Sequence, residues 1–203
     1  MPENTETERL IIEAARQLFV EKGYAETSMS DIAARAGMNR PALHYYFRTK
    51  DRMFEAVFAD IVHSFLPSIQ EAVACDAPLE QRIRRVVDIY CDALLHNPFL
   101  PMFALREIHR DARHLLDTAR HIEAGLYIGK IRDTLLQEMK LGRIRPLPIP
   151  FVFYTFYGLI LTPFLSRPIV REVFPEVGDD FAQTLEEWKP TVVSQLVQLL
   201  RND

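Results

Sequence analysis

Apolar residues at Leu10, Ile11, Ala14, Ala15, Leu18 and Phe19 recur at the i, i+3/i+4, i+7 spacing of one helix face. The stripe stops at Glu21-Lys22-Gly23-Tyr24, with Gly23 where a helix end adopts a left-handed cap. Ser28 and Asp31 form an S-x-x-D capping box ahead of a second, short apolar stretch that Gly37 closes. Asn39 caps a third helix, with Arg40 and Pro41 in its first turn, where proline's missing N–H costs nothing. Thr49 caps a fourth, apolar at Phe54, Val57, Phe58, Ile61, Val62 and Phe65, up to Pro67. The second and third helices are too short to persist alone and must be held by packing on the first and fourth. Two short helices joined by a glycine-containing turn outline a helix-turn-helix.

Beyond Pro67 the pattern stays helical. Leu79, Ile83, Val86, Val87, Tyr90 and Leu94 share a face, and Asn97-Pro98 restarts a helix expected to run to about His109. A long helix is expected from about Ala112 to Leu141, ended by Gly142. Phe151 to Leu165 is apolar on nearly every side, which predicts burial all round and a core helix rather than a membrane span. Arg167 to Asp180 reads as a turn-rich connector, and a last helix spans about Asp180 to Leu200. No alternating run bounded by turn signals reads as a strand. The fold class predicted is all-α, a three-helix helix-turn-helix domain over residues 1–50 joined by its long fourth helix to a larger helical domain over 51–203.

Composition narrows the function. Over 203 residues, 48% hydrophobic and 26% charged is a globular composition. A net charge of -4 means that any nucleic-acid contact must come from a local patch. One is present, because Arg35, Arg40, Arg48, Lys50 and Arg52 stand against Asp51 alone in that stretch. Cys75 and Cys91 lack C-x-x-C spacing and read as idle thiols in a reducing cytoplasm, and the acidic, polar N-terminus does not read as a signal peptide. There is no G-x-S-x-G, no glycine-rich phosphate loop and no H-E-x-x-H, so neither an enzyme nor a metal site is expected, and no cofactor.

On the third helix, Leu43 and Phe47 stand i, i+4 on the core side, leaving Arg40, Pro41, His44 and Tyr45 outward. In a helix-turn-helix that outward face enters the major groove. The Arg40 fork matches the O6/N7 edge of guanine, worth about 1–3 kcal/mol of discrimination. Pro41 and Tyr45 suit a thymine methyl or sugar edge. Ser28, His44, Tyr46 and Lys50 are expected on phosphates.

The segment Leu10–Phe54 resembles the DNA-binding domain of the TetR family of bacterial transcription regulators. It carries A-x-x-L-F with G-Y, T-S-x-x-D-I-A, A-G before the turn, and L-x-Y-x-F-x-x-K. The resemblance implies that Ser28, His44, Tyr46 and Lys50 grip phosphates and that Ser30, Arg40, Pro41, Ala42 and Tyr45 approach bases. Family members place tyrosine where this chain has His44 and histidine where it has Tyr46, which leaves open which of the two holds phosphate. The resemblance also implies a second domain that binds a small effector and forms a homodimer through about 149–165 and 180–200. The function implied is a ligand-released repressor on a palindromic DNA operator, in the cytoplasm; a DNA-binding protein without ligand control is the alternative. Phe99, Met102, Phe103, Tyr127 and Tyr154, with Phe153 and Tyr157, are the apolar candidates for the effector pocket, and Glu107, His109, Arg110, His114 and His121 the polar ones.

Overall fold

The computed structural model describes residues 2–98, 100–175 and 180–202. Among these the chain is helical throughout: α1 Pro2–Glu26, α2 Met29–Arg35, α3 Arg40–Tyr46, α4 Lys50–Ala74, α5 Leu79–His96, α6 Leu100–His121, α7 Ala124–Lys140, α8 Ile149–Val173 and α9 Phe181–Leu200. They form two compact units, one of Met1–Ser64 with Met102–Ala124, the other of Phe65–Pro101 with Gly125–Asp203.

In the first unit α2 packs on α1 and α3 on α2. The core is Ile11, Leu18, Phe19, Ile32, Leu43, Met53 and Phe54, all at or near full burial. The predicted punctuation is in place. Gly23 breaks α1 at φ 84°, ψ 169°, and Gly37 ends the second helix at φ 70°, conformations that favour glycine. The Ser28–Asp31 capping box closes reciprocally, and Asn39 Oδ1 accepts the Ala42 N–H at 2.9 Å. Phe103 of α6 packs 5.7 Å from Phe54, and His114 5.1 Å from it, which is why this unit takes in Met102–Ala124 and the start of α4.

In the second unit α5 and α8 pack on α9 around Val87, Cys91, Leu94, Ile160, Val192 and Leu196. Lys189 is buried there beside Glu186 at 2.5 Å and Asp88 at 3.3 Å. Burial alone would lower its pKa; the carboxylates around it outweigh that and raise it.

Four helix ends differ from the sequence reading. α4 runs through Pro67 to Ala74. Burying Ile69 on the far side, at about 1.5–3 kcal/mol, together with the fully buried Ala72, offsets much of the roughly 3 kcal/mol that proline costs inside a helix. α6 continues past His109 to His121, with one extended residue at Asp111, whose carboxylate caps the restart by accepting the His114 N–H at 3.0 Å. The long helix expected to Leu141 is broken at Glu123, φ 59°. α8 continues to Val173 through Pro163 and Pro168, so most of the expected connector is helix. Pro163 has no N–H to give the Leu159 carbonyl, and the Trp188 indole N–H of α9 supplies it at 3.0 Å.

The expected burial of Phe151–Leu165 does not hold within one chain. Val152 and Ile160 are buried, but Phe151 is 54% and Tyr154 72% exposed. α8 is long and apolar enough to cross a membrane, and only 6% of its most apolar stretch is buried.

Candidate nucleic-acid interface

The turn between α2 and α3 and the first turn of α3 carry the exposed side chains that the pattern singled out. Leu43 is fully buried and Phe47 nearly so, and this anchoring turns Arg40, Pro41, Ala42, His44 and Tyr45 outward together, with Tyr45 79% exposed. Arg40 stands at the first position of α3 with no ion pair among the described residues. The Tyr45 and Tyr46 rings meet edge to face, centroids 5.3 Å apart, which holds Tyr46 half-buried beside its neighbour. Ser30 is exposed on α2.

Two expected phosphate anchors are engaged within the fold. The Ser28 hydroxyl donates to Asp31 Oδ2 at 2.7 Å and accepts the Asp31 N–H at 3.1 Å. That hydrogen bond, with the one from the Ser28 N–H, holds the Asp31 carboxyl below its usual pKa. Lys50 Nζ donates to the carbonyls of Tyr24 at 2.9 Å, Thr27 at 3.0 Å and Ala25 at 3.3 Å, and lies 4.3 Å from the Tyr24 ring centroid. A lysine has three N–H donors, so this ammonium closes the frayed end of α1 and has none left for a phosphate. No local pattern announces this engagement, since the carbonyls lie more than twenty residues upstream. Arg48, which the residue-by-residue reading passed over, is exposed on the groove that also holds Tyr45, Tyr46, Thr49 and Arg52.

Behind this face lies a polar cluster. Glu107, only 2% exposed, is gripped by Arg110 through Nε at 2.8 Å and Nη2 at 2.6 Å. Arg110 also meets the His114 ring at 3.0 Å and covers the Tyr24 ring at 4.4 Å. Tyr24 donates to Asp51, and burial first, then the Asp51 charge, push its hydroxyl pKa far up. The cluster ties α6 to the end of α1 and the start of α4, where Lys50 sits.

The sequence model of the family described as "Bacterial regulatory proteins, tetR family" matches residues 11–57, which contain this whole surface. The HTH-type transcriptional activator FasR of Mycolicibacterium smegmatis is 30% identical over 97 residues, 48% of this chain and 44% of FasR, so the match spans less than half of that relative. The probable HTH-type transcriptional regulator YttP of Bacillus subtilis is 27% identical over 82% of this chain and 81% of its own. The crystal structure of the transcriptional regulator FadR from Bacillus subtilis, in complex with stearoyl-CoA, has the same fold, with a TM-score of 0.67 over 92% of this chain and 97% of that one at 20% identity. Residues 11–57 are a DNA-binding domain of the TetR type.

The expected effector residues do not come together. Met102 and Phe103 belong to the first unit, Met102 exposed and Phe103 buried against Phe54. Tyr127 and Tyr154 belong to the second unit without lining its cavity, and Phe99 lies outside the described residues. Of the polar candidates, Glu107, Arg110 and His114 form the cluster above; His121 pairs with Glu55 at 2.8 Å, and His109 meets the Leu105 carbonyl at 2.9 Å. The second unit holds an apolar cavity of about 120 Å³, walled by Leu66 and Ile69 of α4, Tyr90 of α5, Leu135 of α7, and Phe153 and Tyr157 of α8. Phe153, Phe156 and Tyr157 share the inward face of α8 at i, i+3, i+4, and Tyr154 falls on the other side.

Proposed function

We propose that this protein is a ligand-responsive transcriptional repressor that binds a palindromic operator as a homodimer and is released by a small apolar effector. The observation that carries the DNA-binding part is the burial of Leu43 and Phe47, which presents Arg40, Pro41, Ala42, His44 and Tyr45 on one exposed face. Arg40 reads guanine, Ser30, Pro41, Ala42 and Tyr45 approach the base edges, and His44, Tyr46 and Arg48 hold phosphates. Two copies are needed, because half-sites one helical turn apart, about 34 Å, are read by two recognition helices. The exposed apolar side chains of α8 support a dimer surface within 149–165, completed by 180–200.

The effector is held in the second unit's cavity, and FadR, solved with stearoyl-CoA, supports a ligand-holding second unit in this fold. Release requires the effector to favour one state by its difference in affinity, typically about 1–3 kcal/mol of coupling. The site of action is the cytoplasm.

The test is Arg40→Ala, assayed on an operator selected from random DNA. Specific binding should fall about tenfold or more while the dimer, measured by sedimentation, stays intact. Unchanged operator preference would remove Arg40 as the base reader. FasR is described as an activator, so a reporter under the selected operator settles the sign: its expression rises when the gene is deleted if the protein represses.

A further inference from the structure

We propose that this protein reads thymine 5-methyl groups in its DNA site and that the Tyr45 ring is the reader. It then tells thymine from uracil and accepts 5-methylcytosine in thymine's place. The proposal rests on reading α3 as the recognition helix of a DNA-binding protein.

The exposed side chains of α3 divide into two rows. Arg40 and His44 stand i, i+4 and make a polar row; Pro41 and Tyr45, also i, i+4, make an apolar row that exposed Ala42 widens. Tyr45 is 79% exposed, so nearly all of its ring is available to a surface laid against α3. The edge-to-face contact with Tyr46, centroids 5.3 Å apart, already restrains that ring, so little rotamer freedom is lost when DNA covers it.

The donors and acceptors of this face set which bases it can tell apart. Cytosine shows the major groove an N4 donor and calls for a carboxylate, while adenine calls for an amide that donates and accepts at once. No aspartate or glutamate stands between Ala36 and Thr49, and the single amide there, Asn39, has its Oδ1 committed to the Ala42 N–H at 2.9 Å. The Ser30 hydroxyl, exposed on α2, donates and accepts alike and singles out no base. His44 holds a phosphate. Guanine remains for Arg40, through O6 and N7, and thymine remains for the apolar row, because its 5-methyl is the one alkyl group that a base presents in the major groove. In 5-methylcytosine the same methyl stands at the same place, and a ring that touches only the methyl does not distinguish the two.

The experiment is equilibrium titration of the full chain, by fluorescence anisotropy, on an operator selected from random DNA. Each thymine is replaced in turn by deoxyuridine, which removes one methyl and keeps the base pairing. At one or more positions in each half-site uracil is expected to weaken binding about fourfold, the worth of one buried methyl. With cytosine placed at such a position, 5-methylation is expected to tighten binding by about the same factor. Tyr45→Ala binds the thymine and uracil operators alike, whereas Tyr45→Phe, which keeps the ring, keeps the difference. The exposed ring is not part of the core, so both variants fold, which a thermal melt checks. An operator with no uracil-sensitive thymine overturns methyl reading and leaves a DNA-binding regulator that reads by other groups. A 5-methylcytosine bound no better than cytosine overturns the methyl as the group recognised. A difference that survives in Tyr45→Ala overturns the role of Tyr45, and one lost in Tyr45→Phe overturns the ring in favour of its hydroxyl. A selection that enriches no sequence overturns α3 as a base reader, and this proposal with it.

Discussion

Lys50 holds three carbonyls at the end of α1 and stacks on Tyr24, so its charge is spent joining the start of α4 to a helix end. Removing those charge-assisted bonds by Lys50→Ala should cost about 2 kcal/mol, seen as a lower urea midpoint, and operator binding should weaken only as the first unit loosens. Unchanged stability, with binding weakened alike on every sequence, would return Lys50 to the phosphate backbone. Arg48 is free of that duty. Arg48→Ala should weaken specific and random DNA equally and flatten the salt dependence by about one unit of slope, with the melting curve unmoved. A selective loss on the operator would make Arg48 a base reader. The residues of the recognition face were legible because helical spacing alone separates Leu43 and Phe47 from their neighbours. The engagement of Lys50 was not, because its partners are set by the tertiary approach of α1 and α4.

Helices α1 to α3 were legible for a local reason: stripe, cap and glycine all lie within a few residues of the end they define. The end of α8 was not, because Pro163 and Pro168 are helix-stopping signals and the compensation comes from a distant element. Trp188, 29 residues after Leu159, gives that carbonyl the N–H that Pro163 lacks. Trp188→Phe should leave the carbonyl unpaired in a half-buried place and cost about 1–3 kcal/mol in thermal or urea unfolding. In a Pro163→Ala background the helix supplies its own N–H, so the same substitution should cost at least about 1 kcal/mol less. Strictly additive effects in this double-mutant cycle would sink the compensation. The effector residues failed at the same scale. Aromatic type identified Tyr154 and Tyr157 alike, but only the side of α8 each occupies decides which one lines the cavity.

Across the whole molecule each unit buries one carboxylate against arginine, Glu107 with Arg110 in the first and Glu138 with Arg82 and Arg143 in the second. Glu107 and Arg110 are neighbours at i, i+3 on one helix, whereas Arg82 and Glu138 lie 56 residues apart, and no local pattern announces that pair. For Glu138, burial alone would raise the pKa, but the hydrogen bonds and charges of Arg82 and Arg143 outweigh it, and the folded value lies below the usual 4.5. A lowered folded pKa means that the unfolded chain takes up its proton first. The contribution of Glu138 is therefore fully present above pH 4.5 and is lost as the pH falls from there through the folded value. Glu138→Gln keeps the shape but gives up the charge, so it should lower stability at pH 7 and make the dependence on pH shallower below 4.5. Urea midpoints of the two proteins at pH 7, 5 and 4 should converge as the wild type loses what the variant never had. Parallel pH profiles would show that the arginines hold the carboxyl equally in both its forms, and that acid unfolds the second unit through some other group.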